Sequence, residues 1–306
     1  MKRVLVCVTL LGAGVCAVGS DQRVVLLPKL QAGQAVKYDV HGNVKRHVKT
    51  ESRVATMLHP GDVEREVAMP LLFTAKEIHL EKRRPVVVAH AEFDAGELGS
   101  SEKNATAKAN VDFTIEGDGQ VAKAEGLDDV APEARLAWQF WLSRFAFGWT
   151  LPVEGVKPGD KWKTEETEKS PSPIANLVWE TETTYVQIDK CPLNSAETCA
   201  SFLTRATLKQ KSSTKDATPE DYRLHELRTS GTAKGTDEIV TYISLKSGLV
   251  VRATEETQQS MDVTIAKADG SNGVHYTIEA SSRFEMLLVM GSESAEKQRI
   301  NEAKEQ

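Results

Sequence analysis

The sequence lacks the short motifs that mark the common enzyme classes. It contains no GxSxG nucleophile elbow, no HExxH helix, no Walker phosphate loop and no GxGxxG run followed by a helix. The run that comes nearest to a phosphate loop is Gly117-Asp118-Gly119, but no helix is expected to begin directly after it. We therefore predict a protein without enzymatic activity and without a cofactor.

An excess of basic residues is also missing. The 306 residues include 38 Lys and Arg against 44 Asp and Glu, which gives a formal net charge of −6. Removing Lys2 and Arg3 with a leader would take this to −8, that is −6 minus 2. Because nucleic acids select strongly basic surfaces, we expect no nucleic acid partner.

Cysteine is scarce, and its four positions fall into two groups. Cys7 and Cys16 lie in the apolar leader, whereas Cys191 and Cys199 frame a turn-rich loop. An even pair in an exported chain predicts a disulfide, worth about 2.5 kcal/mol on the chain-entropy estimate. The alternative is a redox-active pair, although CxxC spacing is absent. No His lies beside either Cys, so a zinc site is not indicated.

No apolar run reaches the roughly 20 residues that a membrane-spanning helix needs. The longest begins after Lys2 and Arg3, spans 4–18 and ends at the small residues Gly19 and Ser20. This order is typical of a signal peptide at 1–20, cleaved before Asp21, with an uncleaved anchor as the alternative. The sequence thus predicts a secreted protein, periplasmic or extracellular, with no membrane span after cleavage.

Long stretches of the chain alternate between apolar and polar residues. The alternation runs through 36–51 and is longest over 274–290. A period of two is typical of antiparallel strands with one buried and one hydrated face. These stretches exceed the usual strand of about 5–6 residues. We therefore predict a mainly β (α+β) fold with a large, curled antiparallel sheet.

The segment 128–150 departs from that pattern and predicts one central helix. Asp128 and Asp129 suit its N-terminus, Pro132 its first turn, and Gly148 its end. The helix is apolar around most of its circumference. The simpler interpretation is a core helix packed into the sheet, and the alternative is a helix that covers a hydrophobic cavity.

Two segments resemble each other and suggest two related halves. Leu27-Pro28 precedes GQAVK at 33–37, and Leu151-Pro152 precedes GDKWK at 159–163. Few residues match, so chance is the alternative to a true repeat. The expected organisation is a signal peptide (1–20), a first β-rich half (21–127), the central helix (128–150), a second β-rich half (151–290) and a charged tail (291–306).

Six apolar residues are candidate contacts for a hydrophobic ligand. An aromatic helix lying across a curled sheet is a recurrent way to enclose such a ligand, and Met is common on adaptable binding surfaces. The alternative is that sheet and helix simply fill each other. The candidates are Trp138, Trp141, Phe145, Trp149, Met286 and Leu288.

The strongest local cluster with metal-ligand character is His90, Glu92 and Asp94. At i, i+2 and i+4 of a strand, these three side chains share one face. Apolar residues alternate with them, so the simpler interpretation is the hydrated face of a half-buried strand. No metal is therefore predicted.

A resemblance to known proteins rests on the order of segments in the chain. That order is a leader, long strands, a central helix, the segment VKPGDKW at 156–162 and the later segment SGLVVRATEE at 247–256. It resembles uncharacterised families of exported bacterial β-rich proteins. At the level of fold it is similar to the half-barrels of periplasmic lipoprotein carriers, whose curled sheet is covered by helices and holds acyl chains. The resemblance implies lipid binding and no catalytic residues.

We therefore expect a non-enzymatic exported envelope protein that binds a hydrophobic small molecule, a lipid or a lipidated envelope protein. One alternative is a structural or protein-interaction module with a filled core. Another is a hydrolase with dispersed catalytic residues, which a cleft around His90 would favour. The identity of the ligand, the partner and the oligomeric state lie beyond what these patterns determine.

Overall fold

The computed structural model describes residues 23–50, 58, 60–94, 108–127, 130, 132–168 and 172–289. The expected signal peptide, the Asp128-Asp129 cap and the charged tail lie outside these ranges. The expectations for those three segments therefore stay predictions.

Within these described ranges, eleven antiparallel strands form one open sheet, in the order β5-β4-β3-β2-β1-β11-β10-β9-β8-β7-β6. The mainly β fold expected from the alternating pattern is confirmed. The strands are β1 (Ala35–Thr50), β2 (Gly61–Glu81), β3 (Arg84–Asp94), β4 (Lys108–Ile115), β5 (Val121–Glu125), β6 (Lys161–Thr167), β7 (Leu177–Cys191), β8 (Asn194–Gln210), β9 (Leu227–Ser244), β10 (Val250–Lys267) and β11 (Val274–Val289).

The strands form two meanders, β1–β5 and β6–β11, which join where β1 pairs with β11 along 14 residue pairs. Within each meander every strand pairs with the next one in sequence. The chain leaves the first meander at edge strand β5 and enters the second at the opposite edge, β6. Its connection carries the central helix across one face of the sheet, which we call the inner face.

The central helix is divided into two pieces, α1 (Pro132–Phe145) and α2 (Phe147–Thr150), rather than continuous over 128–150. Ala146 forms a turn between the two helices and is the N-cap of α2. Gly148 packs against Pro28 and the Leu26 carbonyl. A third helix, α3 (Glu220–Leu224), precedes β9. In the part of the chain described, no helix is long and apolar enough to cross a membrane.

The main core lies between α1 and the inner face. Tyr38 of β1, Phe73 of β2 and Phe113 of β4 are each at most 2% exposed and contact the aromatic side chains of the helix. The Tyr38 hydroxyl donates to the Val250 carbonyl at 3.1 Å. Because α1 and the strands cover each other, the first meander and the centre of the sheet share one continuous core.

A second, smaller core lies on the inner face at the other end of the long strands. It is covered by the segments before β7 and before β9 rather than by α1. Between the two cores the inner face carries polar side chains such as Thr257 and Gln259. The buried members of this second core are Val48, Ile174, Leu177, Leu208, Ala217, Val263, Ile265 and Tyr276.

The two meanders begin with the same hydrogen-bond geometry. The Gly33 amide donates to the Ala75 carbonyl at 2.7 Å, and the Ala75 amide donates to the Gln34 carbonyl at 3.0 Å. A register shift in the second strand follows directly, between Ala75 and Glu77. In the second meander the Gly159 amide donates to the Tyr185 carbonyl at 2.8 Å, and the Tyr185 amide donates to the Asp160 carbonyl at 3.0 Å. The register shift there lies between Tyr185 and Gln187. The similar segments noted in the sequence thus occupy matching positions.

The predicted disulfide between Cys191 and Cys199 is present and joins β7 to β8, with a Cα–Cα distance of 5.0 Å. Replacing both Cys by Ala should lower the free energy of unfolding by about 2.5 kcal/mol, because the loop then gains freedom in the unfolded chain. Urea denaturation measures this. Dithiothreitol should reproduce the loss in the unchanged protein and leave the double variant unaffected; an equal response in both would contradict the prediction.

Gly42 of β1 gives room to the ring of Phe284, which stacks on Phe140 of α1 at 5.3 Å. A Cβ at Gly42 would overlap that ring, so Gly42→Ala should lower the free energy of unfolding by about 2 kcal/mol. Gly273→Ala is the matched control, since its Cβ would lie 3.3 Å from the Thr264 methyl. Equal urea midpoints for the two variants would disprove this packing constraint.

Candidate functional site

The four aromatic candidates of the central helix are core residues. Trp138, Trp141, Phe145 and Trp149 are each at most 2% exposed. Trp141 and Phe145 stack at 5.1 Å, and Trp138 stacks on Phe93 of β3 at 5.3 Å. Their surfaces are therefore covered by protein, and a ligand would contact them only if α1 moved away from the sheet.

The two candidates on β11 are also part of the packing. Met286 is fully buried under the helix, and Leu288 is half-buried beside the disulfide. Leu288, Cys191 and Val251 line a space of about 10 Å³, which would hold one water molecule at most. The space beside Leu288 is therefore too small for a hydrophobic ligand, and Met286 is covered by protein.

An apolar cleft of about 320 Å³ lies elsewhere, between the segment before β1 and the end of the β2–β3 hairpin. Its volume is at the lower end of the range of roughly 300–1,000 Å³ that is usual for small-molecule sites. Seven of its residues are apolar and two are basic. They are Val25, Leu27, Pro28, Lys29, Leu30, Ile78, Leu80, Arg83 and Pro85.

The bulge in β2 creates one wall of this cleft. Up to Ala75 the odd-numbered residues of β2 face the core, and beyond the register shift Ile78 and Leu80 face it instead, opposite Val87 and Pro85. One extra residue thus turns two apolar side chains inward where Glu77 and His79 would otherwise point. Leu80 extends past the end of the core and stays 74% exposed.

The opposite wall is the segment that leads to β1. Val25 is 50% exposed, while Leu27 and Leu30 are half-buried. The amide of Lys29 donates to the Ser247 carbonyl at 2.8 Å, which fixes this segment to the β9–β10 turn.

The β2–β3 end is fixed as well. Arg84 donates to the carbonyls of Gly117 and Leu151 at 3.3 Å and also to that of Trp149, whose indole donates to the Pro85 carbonyl at 2.8 Å. Both walls of the cleft are therefore held in place by hydrogen bonds to neighbouring elements, as a preorganised site requires.

The turn between β2 and β3 places basic residues in an unfavourable backbone conformation. Lys82 and Arg83 form the two-residue loop with φ values of 47° and 69°. Hairpin loops with two positive φ values favour Asn-Gly, because a Cβ is strained there. Strain of this kind is often found at functional sites.

A second group of polar residues lies under the last turn of α1. Burial raises the pKa of Asp237 to about 6 and that of Glu255 to about 7, and the negative charge of Asp237 also raises the pKa of Glu255. Arg144 of α1 opposes both shifts, and the Thr257 hydroxyl donates to Asp237 at 3.1 Å. Both carboxyl groups therefore keep their protons to a higher pH than an exposed Asp or Glu would.

The weak metal candidates lie on the outer face of β3. His90 Nδ1 is 2.9 Å from Asp112 of β4, and its Nε2 is 3.5 Å from Glu92. The Asp112 carboxylate also accepts from Lys76, which lowers its pKa. Among the residues that the structure describes, no group of three or more His, Cys, Asp or Glu could hold a metal ion.

The comparisons with known proteins add little. No protein-family model matches the chain, and no curated protein matches it. Among solved structures, the chain can be aligned with a crystal structure of Pseudomonas aeruginosa OccK11 (OpdR) at 7% identity, over 88% of this chain and 100% of that one, with a TM-score of 0.15. That score carries no argument about function.

The cleft and the acidic pair were not anticipated from the sequence, although signals for both are present. From Phe73 to Leu80 the apolar positions switch from odd to even numbers, which indicates a bulge. Asp237 and Glu255 occupy positions that the period-two pattern assigns to the inner face. Departures from the alternation are thus the informative positions.

The raised pKa values of Asp237 and Glu255 predict a pH-dependent stability. The folded protein binds more protons than the unfolded chain between the ordinary pKa values of 3.8 and 4.5 and the raised values of about 6 and about 7. The free energy of unfolding should therefore fall as pH rises through this window. Urea denaturation at about pH 5 and about pH 8 measures the fall.

Glu255→Gln should remove much of that fall, because its amide does not titrate. Glu238→Gln is the matched control: Glu238 is exposed and pairs with Arg205 at 2.9 Å. An unchanged pH dependence in Glu255→Gln would show that the buried carboxyl does not control it.

Proposed function

We propose that this protein binds a hydrophobic ligand, or the lipid group of a lipidated partner, in the cleft between the segment before β1 and the β2–β3 hairpin. The observation that carries the proposal is the cleft itself, with its volume of about 320 Å³ and seven apolar lining residues. Such a concave, mostly apolar site with few charges is typical of small-molecule binding.

The exposure of the lining supports this assignment. Leu80 is 74% exposed and Val25 is 50% exposed, so both leave apolar surface in contact with water. Covering a Leu or Val side chain contributes about 1.5–3 kcal/mol when burial is complete. A ligand placed between the two side chains would gain part of that free energy without opening the core.

The resemblance to periplasmic lipoprotein carriers is consistent with this proposal at a coarse level, since an open sheet covered by a helix is present. The ligand position differs, however. In this chain the space beneath the helix is occupied by Trp138, Trp141 and Phe145, so the proposed site lies at the end of the sheet. The proposed setting is the cell envelope, which rests on the predicted signal peptide at 1–20.

A structural or protein-interaction module is the second candidate function. The filled core beneath α1 favours it, because a protein that only presents a surface needs no internal cavity. Failure to bind any apolar molecule would favour this candidate.

Fluorescence titration of the purified protein with a neutral apolar dye, N-phenyl-naphthylamine, tests the proposed site. Leu80→Ser should weaken dye binding by about fivefold, because one apolar wall is lost. The melting temperature should stay unchanged, since the side chain is largely exposed. No saturable dye binding by the unchanged protein would refute the proposal.

Leu224→Ser is the matched control for this experiment. Leu224 lies on α3 at the opposite end of the sheet and is 75% exposed, against 74% for Leu80. The two substitutions therefore remove similar exposed apolar surface. Equal effects of both on the dye would mean that it binds scattered surface residues rather than the cleft.

A further inference from the structure

The two charged residues that line the cleft are both basic. Lys29 lies on one wall and Arg83 at the end of the other, and no acidic residue is among the nine that line the cleft. Lys82 adjoins Arg83 in the same turn and is exposed. Glu81 precedes the same turn and lies 3.3 Å from His79. In a chain with a formal net charge of −6, an apolar cleft whose two charged lining residues are both cations is a local reversal of the overall charge.

These cations differ in their partners from several basic residues of the sheet. Lys45, Lys76 and Arg252, for example, each pair with a carboxylate at 2.6–2.8 Å. Among the described residues, neither Lys82 nor Arg83 forms an ion pair or a side-chain hydrogen bond. Arg83 thus retains its full set of donors for an external acceptor.

Lys29 is oriented but not neutralised. Its ammonium group donates to the Lys246 carbonyl at 2.9 Å, which leaves two of its three donors available. A backbone carbonyl carries no formal charge, so the positive charge of Lys29 remains. The hydrogen bond holds this charge beside the apolar wall formed by Leu27 and Leu30.

The backbone of the turn supplies an independent observation. Positive φ values at Lys82 and Arg83 cost conformational energy that Asn-Gly would not cost. The turn projects from the end of the wall that Leu80 forms, so Lys82 and Arg83 place positive charge at the mouth of the cleft. This placement gives a reason for basic residues with positive φ values in the turn.

From these observations we infer that the ligand is a single-chain amphiphile with an anionic head group. The chain lies against Val25, Leu27 and Leu80, and the head group accepts hydrogen bonds from Lys29 and Arg83. The inference rests on the proposed function, and it specifies the chemistry of the same cleft. Because the cleft volume is small for a binding site, one acyl chain fits better than two.

Isothermal titration with four dodecyl compounds below their micellar concentrations tests the inference. Dodecanoate and dodecyl phosphate share the anionic head group, dodecanol is neutral, and dodecyltrimethylammonium is cationic. At least one anion should bind about tenfold more tightly than dodecanol, and the cation should bind most weakly. The ratio between the two anions distinguishes a carboxylate ligand from a phosphate ligand. Added salt should weaken only the binding of the anions.

Variants separate the head-group contact from the apolar contact. Combining Lys29→Gln with Arg83→Gln should lower the affinity for dodecanoate to that of dodecanol and leave dodecanol binding unchanged. Arg205→Gln is the control, because Arg205 lies on the outer face and pairs with Glu238. A similar loss in this control would overturn the inference.

Arg83→Gly tests whether a loss of binding is caused by a loss of stability rather than by the missing guanidinium group. Since glycine accepts a positive φ, this variant should melt at a higher temperature than the unchanged protein and still bind dodecanoate less tightly. Unchanged dodecanoate affinity in this variant would overturn the inference.

Equal affinities for dodecanoate and dodecanol would reject the anionic head group and leave the proposed function standing. Binding of none of the four compounds would reject both. Binding to anionic vesicles, without binding to any monomeric compound, would assign the cleft to a membrane surface and would also overturn the inference.

Discussion

The aromatic contact between α1 and the inner face is the interaction on which the rest of the structure depends. An open sheet of eleven strands would otherwise expose the apolar side chains of its main core to water, since the described residues form no second sheet to cover them. Trp138, Trp141 and Phe145 cover strands of the first meander, and Phe140 stacks on Phe284 of β11 in the second. The crossing from edge β5 to edge β6 follows from the same requirement, because only a segment that spans the sheet can lie over its centre.

Both meanders start with matching hydrogen bonds and bulges, but the strand beyond the bulge has a different role in each. In the first meander the bulge turns Ile78 and Leu80 toward the inner side and so forms a wall of the cleft. In the second, the strand beyond the bulge ends at the disulfide of Cys191. The backbone geometry is shared, whereas the side chains beyond the bulge differ. They form a wall of the cleft in the first meander and a disulfide in the second.

The acidic pair beneath α1 and the basic turn at the cleft are the two places where local chemistry works against stability. Asp237 and Glu255 lose hydration under the helix, and Lys82 and Arg83 hold a strained backbone. Proteins generally keep such features only where function compensates for the loss. The turn borders the apolar cleft of about 320 Å³, so we place the proposed site there.

The alternation of residues by itself determined the mainly β fold and its long strands, because burial of one face per strand is a local property of the sequence. The break in that alternation at 128–150 predicted the aromatic helix. The spacing of Cys191 and Cys199 likewise predicted the disulfide. Only the tertiary structure decided that the helix aromatics fill the core and that the cleft lies where residues 23–30 meet the β2–β3 hairpin. That position depends on a one-residue bulge and on contacts between segments about 50 residues apart, which no local pattern specifies.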